Sequence, residues 1–345
     1  FDSYGLTLRL FIAAPFLILW VASPFIVWVI NRPVVTKRSA LSDSQKLYLR
    51  ELSRKTWSFF EVFVSETDNW LPPDNLQQYP IPVIAHRTSP TNIGLALLAN
   101  LSAYDFGYIT CGTLIDRTGK TFSTLSKLDR QGGHFFNWYD TQSLRVLHPR
   151  YISTVDSGNL AGHLLTLRQG LLALTHQPVI STKLFTGLLD TLSILKKSLR
   201  EHQGGFDQLE KILESGIATT IVFDFQNHIQ QAASHFHAIQ SLFNADTNSE
   251  TGWWINACNE QLKHAQEELS ALLPWALQDK PSGFENIEYL TRIPTLSELV
   301  QLPVTLALEL SARQHPPEVE TWLRTIEAGA TEASKLATQR IETIQ

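Results

Sequence analysis

The first thirty residues are the most apolar part of the chain. No charged side chain occurs from Leu10 to Ile30, and this length matches the ~20 residues that a helix needs to cross a bilayer core. A signal peptide would have a shorter apolar segment followed by small residues, and a buried soluble helix would tolerate Pro15 and Pro24 poorly. The pattern therefore predicts a transmembrane helix within residues 1–31.

Charge is distributed unequally around this apolar segment. Only Asp2 and Arg9 precede it. The segment from Arg32 to Lys55 carries seven basic residues (Arg32, Lys37, Arg38, Lys46, Arg50, Arg54 and Lys55) against two acidic ones. The positive-inside rule then predicts that the residues after 31 lie on the cytoplasmic side.

Beyond the anchor, apolar residues recur at helical spacing and almost never alternate. Leu41–Val64 is typical of an amphipathic helix, and four prolines in residues 69–83 indicate an extended connector. Ser89 and Pro90 form a helix start signal. Further helices are predicted at Ile93–Gly107, Leu114–Leu128, Leu160–Leu171, Thr182–Leu199, Thr295–Gln314 and Pro317–Ile344. Residues 205–279 are predicted to form longer and more polar helices. The fold class is predicted to be all-α, with one transmembrane helix followed by a helical bundle.

Composition excludes several classes of protein. The chain has 345 residues, 18% of them charged, and a net charge of −5, which argues against a disordered or nucleic-acid-binding protein. Cys111 and Cys258 are too few for a disulfide framework. The chain begins with Phe1 and contains no Met, so we expect it to be part of a longer protein.

Motifs for phosphate and metal binding are absent from the sequence. Arg117–Thr121 ends like a phosphate-binding loop, but Leu114 replaces its first glycine and no strand precedes it. His134, His148 and the other histidines have no carboxylate or cysteine at ligand spacing. No metal site and no cofactor are expected in this chain.

Three polar and aromatic loops do suggest chemistry, at 86–92, 132–141 and 153–159. Sugars are bound by aromatic faces together with carboxylate and amide groups. That mixture is offered by Asn137, Trp138, Tyr139, Asp140, Asp156 and Asn159. The alternative is that Asp156 and Ser157 cap a helix while Trp138 fills the core.

Five motifs carry a resemblance to a known family. They are Trp70–Asn75, His86–Gly94, Asp105–Gly107, Gly133–Thr141 and Ser153–His163. They resemble cyclic β-1,2-glucan synthases, in the section that joins the last membrane helices to the middle, glucoamylase-like domain. The resemblance is specific from Trp70 to about Leu174, and looser over Leu41–Asn69 and Ile293–Ile344.

The resemblance implies a multi-module enzyme of the bacterial inner membrane. A glycosyltransferase module would use UDP-glucose and a divalent metal, neither expected in this section, and a middle (α/α)6 barrel would close the glucan ring by transglycosylation. Residues 1–31 would be the transmembrane helix, 32–83 a juxtamembrane helix and connector, and 84–345 the first part of the barrel with a helical insertion at about 205–280. The implied partners are β-1,2-linked glucan, the lipid bilayer and the remaining modules, and no nucleic acid.

The resemblance also implies site residues. The glucan cleft would be lined by Arg87, Thr88, Asn92, Trp138, Tyr139, Asp140, Asp156, Ser157 and Asn159. Transglycosylation with retention needs two carboxyl groups, which the family carries in later motifs. The chain alone is therefore expected to be inactive, although the resemblance implies that the intact protein is an enzyme. Two alternatives remain open, namely a relative of endo-β-1,2-glucanases and a non-catalytic, membrane-anchored helical module that binds glycan or scaffolds partners.

Overall fold

The computed structural model describes residues 3–32, 40–199, 205–240, 249–284 and 287–345, with side chains from residue 11 onward. The chain divides into two compact units, Phe1–Lys46 and Leu47–Gln345. Lys37 and Arg38 of the basic flank lie outside the described residues.

The first unit contains helix α1 (Ser3–Ile30). Its segment Phe11–Ile30 has a mean hydropathy of 2.2, and by length and composition it could cross a membrane. Pro24 has no N–H to donate to the carbonyl of Trp20 one turn earlier. The Ser23 hydroxyl donates to that carbonyl instead, at 2.8 Å. This local bond lets the helix continue through its second proline.

Helices form most of the second unit. They are α2 (Asp43–Phe63), α3 (Pro90–Phe106), α4 (Cys111–Leu125), α5 (Thr154–Leu174), α6 (Lys183–Ser198), α7 (Asp207–Ile217), α8 (Val222–Gln240), α9 (Glu250–Leu272), α10 (Glu288–Thr291), α11 (Leu296–Ala312) and α12 (Pro317–Ile344). Short 3₁₀ turns occur at Glu66–Asp68 and Pro274–Leu277.

Three short antiparallel pairs accompany the helices. Strand β1 (Leu76–Gln77) pairs with β2 (Val83–Ile84), and β4 (Arg130–Gln131) pairs with β5 (His134–Phe135). Strand β3 (Arg87–Thr88) pairs with β6 (Tyr139–Asp140). Each named strand has two residues, so the all-α prediction is confirmed for the part of the chain that the structure describes.

Capping side chains decide where the helices begin. The Ser89 hydroxyl accepts a hydrogen bond from the Asn92 N–H at 3.2 Å, which confirms the predicted start of α3 at Pro90. Helix α4 begins at Cys111, earlier than the predicted Leu114, because Thr110 caps it.

The loop predicted at 153–159 is corrected by the structure. Ser153 is the N-cap of α5, and its hydroxyl accepts from the Asp156 N–H at 3.1 Å. The rest of the segment is therefore the first turns of α5. Neither Asp156 nor Ser157 is the N-cap, because Ser153 already occupies that position.

Two apolar clusters form the core. The larger one includes the buried faces of α6, α8, α9, α11 and α12. The smaller one lies around β6, the first half of α3, the end of α4 and the middle of α5, and consists of Leu71, Ile93, Leu97, Leu125, Leu128, Phe136, Tyr139, Val146 and Leu167. A Cβ on Gly94 would be 2.4 Å from His163 Nδ1, and one on Gly170 would be 2.4 Å from a Leu101 methyl carbon. These two contacts show that α3 and α5 pack closely and run in the same direction, so both helices begin at one end of the unit.

Candidate functional site

The pair of strands β3 and β6 presents two different faces. Arg87 lies opposite Asp140, and Thr88 lies opposite Tyr139. Since side chains alternate along a strand, Thr88 and Tyr139 share one face, which is fully buried. Arg87 and Asp140, together with the half-buried Trp138, belong to the other face. Thr88 and Tyr139 were predicted to line the glucan cleft, but their side chains are buried on the face of the strand pair opposite Arg87 and Asp140.

Tyr139 attaches β6 to the smaller apolar cluster. Its hydroxyl donates to the Asp129 carbonyl at 2.6 Å and accepts from the Phe136 N–H at 2.7 Å. Burial raises the pKa of Tyr139 above its ordinary value. The residue is a structural anchor of the site.

Arg87 is held by Asp74, a carboxylate that is not among the predicted site residues. Arg87 donates through Nε (3.1 Å) and Nη2 (2.9 Å) to Asp74 Oδ2. The amide of Asn92 donates to the other oxygen, Asp74 Oδ1, at 3.2 Å. The Arg87 guanidinium carbon lies 4.8 Å from the centre of the Trp138 ring. Three predicted site residues, Arg87, Asn92 and Trp138, are thus connected through Asp74.

Trp138 is held at its edge by Asn137. An indole N–H only donates and a carboxylate only accepts, which determines the amide orientation of Asn137. In that orientation Asn137 Oδ1 accepts from Trp138 Nε1 (2.8 Å) and from the Tyr151 hydroxyl (2.7 Å). Its Nδ2 donates to Asp156 Oδ2 at 2.9 Å. Asn137 therefore links Trp138 to the start of α5.

Asp156 is an ionised acceptor. Its partial burial opposes ionisation, but hydrogen bonds from Ser153, Thr91 and Ser89 outweigh that effect, so the pKa of Asp156 lies below its ordinary value. Asp156 thereby connects the starts of α3 and α5.

The Asp140 carboxylate accepts hydrogen bonds from the turn that follows it. Its Oδ1 accepts from the Ser143 N–H (2.7 Å), the Ser143 hydroxyl (2.8 Å) and the Gln142 N–H (3.1 Å). The hydrogen bond from the Ser143 N–H is the main reason that the pKa of Asp140 is lowered.

The remaining predicted residues, Ser157 and Asn159, lie on the first two turns of α5. Asn159 is exposed, and its amide donates to Thr91 Oγ1 on α3 at 3.1 Å. The Ser157 hydroxyl is buried and has no hydrogen-bond partner among the described residues. The structure therefore gathers all nine predicted residues where β3, β6 and the starts of α3 and α5 meet.

Two acidic residues of this region were missed. Asp74 belongs to the Trp70–Asn75 motif, which was the only available signal for it. Asp68 is buried, and it accepts hydrogen bonds from the Thr141 hydroxyl and from His86 Nδ1, the latter at 2.7 Å. Asp68 fixes the end of the β3 and β6 pair on its buried side.

A separate cavity of about 680 Å³ lies between α4, α9 and α12. It contains no predicted site residue, and its wall includes an ion pair between Glu268 and Arg340, with oxygen to nitrogen distances of 2.6 and 2.8 Å. No group of three metal-ligating side chains occurs in the described ranges. Cys111 and Cys258 are free and buried, and burial raises the pKa of each thiol to about 12.

Comparison with known proteins supports the resemblance found in the motifs. No family model matches the chain. Over 193 residues, 55% of its length, the chain is 40% identical to the cyclic β-(1,2)-glucan synthase NdvB of Rhizobium meliloti (strain 1021). The match covers 7% of that relative. The suspected similarity to this class of synthase is therefore confirmed for about half of the chain.

Solved structures also align with the chain, and one of them illustrates the level of similarity. It is a Bacteroides fragilis NCTC 9343 protein assigned as a glucoamylase, 20% identical over 48% of this chain and 38% of its own, with a TM-score of 0.29. With so low a score, the description of the fold depends on the helices themselves.

Proposed function

We propose that this chain supplies the glucan-binding part of the ring-closing transglycosylase domain of a cyclic β-1,2-glucan synthase. The observation that carries the proposal is the 40% identity over 193 residues to such a synthase. The proposed arrangement of residues 84–345 is the first part of an (α/α)6 barrel. The parallel packing of α3 against α5 is compatible with neighbouring inner helices of such a barrel.

The exposed groups of the site suit a neutral sugar chain. Trp138 offers an aromatic face for the C–H surface of a glucose ring. Arg87, Asn92, Asp156 and Asn159 offer donors and acceptors for hydroxyl groups, and they are already oriented by hydrogen bonds to one another or to their neighbours. Such preorganisation lowers the entropy cost of binding a flexible glucan.

Neither Asp140 nor Asp156 suits the role of general acid. A glycosidic leaving group needs a carboxyl that stays protonated near neutral pH, which requires a raised pKa. The pKa values of Asp140 and Asp156 are both lowered. We therefore propose that catalysis in the intact protein uses other carboxyl groups and that this chain alone is inactive.

The proposed location is the bacterial inner membrane, with α1 as anchor and the residues after 31 in the cytoplasm. The apolar segment Phe11–Ile30 and the similarity to the synthase support membrane association. The basic excess after Arg32 supports the sidedness. The other proposed partners are the remaining modules of the same polypeptide.

Calorimetric titration with β-1,2-glucooligosaccharides tests the binding function. We expect wild-type protein in detergent to bind them and to prefer them to β-1,4-linked oligosaccharides. Trp138→Ala should weaken binding about tenfold, because one aromatic contact is worth on the order of 1 kcal/mol. Tyr48→Ala, which removes an exposed aromatic ring on α2, is the matched control and should bind like wild type. Equal binding by Trp138→Ala and wild type contradicts the proposal.

The lowered pKa values of Asp140 and Asp156 also favour a second candidate, a non-catalytic glycan-binding or scaffold module. Incubation of the chain with linear β-1,2-glucan separates the candidates. New reducing ends that disappear in Asp140→Asn or Asp156→Asn would indicate an endo-β-1,2-glucanase relative. Binding without cleavage agrees with either the module or the synthase section.

A further inference from the structure

Asp74 lies at the centre of the candidate site and is less exposed than its partner Arg87. Its side chain is 19% exposed, whereas that of Arg87 is 51% exposed. Each carboxylate oxygen has a separate task, since Oδ2 accepts from Arg87 and Oδ1 accepts from Asn92. The Asn75 amide also donates to Oδ2, at 3.0 Å.

The backbone fixes the position of this carboxylate. The Asp74 N–H donates to the Ala85 carbonyl at 3.1 Å, and the Ala85 N–H donates to the Asn75 carbonyl at 3.0 Å. The segment with Asp74 is therefore bonded to the residues that lead into β3. Because Nε and Nη2 of Arg87 both donate to the fixed Oδ2, the carboxylate limits where the guanidinium edge can lie.

The orientation of Arg87 in turn affects Trp138. The guanidinium lies 4.8 Å from the ring centre and covers the indole from one side, while Asn137 holds the indole N–H. Trp138 itself is only half-buried, so part of its indole stays accessible beside the guanidinium. An accessible indole surface suits a planar, C–H-rich ligand surface such as a sugar ring.

From these contacts we infer that Asp74 is a positioning residue of the glucan site: it holds Arg87 against one face of Trp138 and Asn92 beside it, so that the accessible indole surface receives a glucose ring. This inference rests on the proposed function. Asp74 acts through Arg87, Asn92 and Trp138, and it makes no bond to the sugar itself.

Asp74→Asn in the full chain tests the inference, because it keeps the size of the side chain but removes the charge and one acceptor. We expect about tenfold weaker binding of β-1,2-glucooligosaccharides, as is typical when a hydrogen bond to a charged group is lost. The ligand-free protein should show a smaller Trp138 contribution to near-ultraviolet circular dichroism, taken as the difference from Trp138→Phe. Asp74→Glu should recover part of both signals.

Asp105→Asn is the matched control, since Asp105 forms an exposed ion pair with Lys183 at 3.0 Å away from the site. It should change neither signal. Wild-type affinity and an unchanged Trp138 signal in Asp74→Asn would overturn the inference while the proposed function stands. A wild-type protein that binds no β-1,2-glucan would overturn the proposed function and the inference with it. Thermal denaturation confirms that each variant is folded.

Discussion

Two arginine–carboxylate pairs lie in different surroundings in the second unit. At the candidate site, Arg87 is half exposed and its partner Asp74 is 19% exposed. Beside the cavity between α4, α9 and α12, Glu268 and Arg340 are only 6% and 12% exposed. The same two functional groups are therefore expected to contribute differently. Loss of the buried pair should reduce the stability of the fold, whereas the exposed pair contributes little to stability and is accessible to a ligand.

The largest expected effect is at the buried pair. Glu268→Ala leaves Arg340 without its partner and deprives the Gly112 N–H of an acceptor at 3.1 Å. We expect the free energy of unfolding to fall by about 3–5 kcal/mol, as when one partner of a buried ion pair is removed. Urea unfolding measures this change. The adjacent, exposed Glu267 provides the control Glu267→Ala, which should cost little. A loss below about 1 kcal/mol for Glu268→Ala would remove the distinction between the two pairs.

A smaller loss is expected beneath the exposed pair. Tyr139→Phe removes the hydroxyl that bonds the Asp129 carbonyl and the Phe136 N–H. Because both groups would then lack a partner near the apolar cluster, unfolding should become easier by about 1–3 kcal/mol. Tyr151→Phe, at a partly exposed ring that also bonds Asn137, is the comparison and should cost less. A larger loss of unfolding free energy in Tyr151→Phe than in Tyr139→Phe would contradict the role of Tyr139 as the structural anchor of the site.

The helices of this molecule could be predicted because their signals are local. Ser89 with Pro90 marks the start of α3, and Gly107, with a φ of 79°, ends it. The start of α5 was misplaced because the sequence around Ser153 contains several polar residues that can each cap a helix, and only the backbone path selects one.

Residue type could select side chains that the structure brings together at the starts of α3 and α5, but it could not predict how they are connected. Trp138 and Asp156 were selected by residue type, but their connection through Asn137 depends on β6 reaching the start of α5. The burial of Tyr139 follows from strand alternation, and a two-residue strand is too short to be recognised from sequence. Asp74 and Arg87 meet only because residues 74–85 fold back on themselves through the β1 and β2 pair.

A third, more exposed pair extends the comparison to pH. Arg292 and Glu298 are 46% and 41% exposed, and Glu298 completes the capping box of α11 with Thr295. The hydrogen bond from Arg292 is the main cause that lowers the pKa of Glu298 from 4.5 to about 2. The folded-state pKa lies below the unfolded one, so this stabilisation is present above about pH 4.5 and is lost as the pH falls towards 2.

Glu298→Gln keeps the capping hydrogen bond but removes the charge that faces Arg292 and the start of α11, so it should cost up to about 1 kcal/mol at pH 7 and less at pH 3. Urea unfolding at both pH values measures the difference between wild type and variant. Glu320→Gln, which breaks the exposed pair with Arg324, is the control and should show no comparable pH dependence. A cost that does not shrink on acidification would contradict the role assigned to the Glu298 carboxylate.

The smallest change in stability is expected at the pair of Arg87 and Asp74, to which we assign a role in glucan binding. Asp74→Asn should alter the free energy of unfolding by less than about 1 kcal/mol, because its partner Arg87 is half exposed and water replaces the lost contact. The same variant is expected to weaken glucan binding about tenfold, since the Arg87 guanidinium over Trp138 is no longer held. Urea unfolding and titration on one preparation give both values. If Asp74→Asn destabilises the protein as strongly as Glu268→Ala does, the Asp74 carboxylate belongs to the structural framework, and exposure does not separate the two pairs.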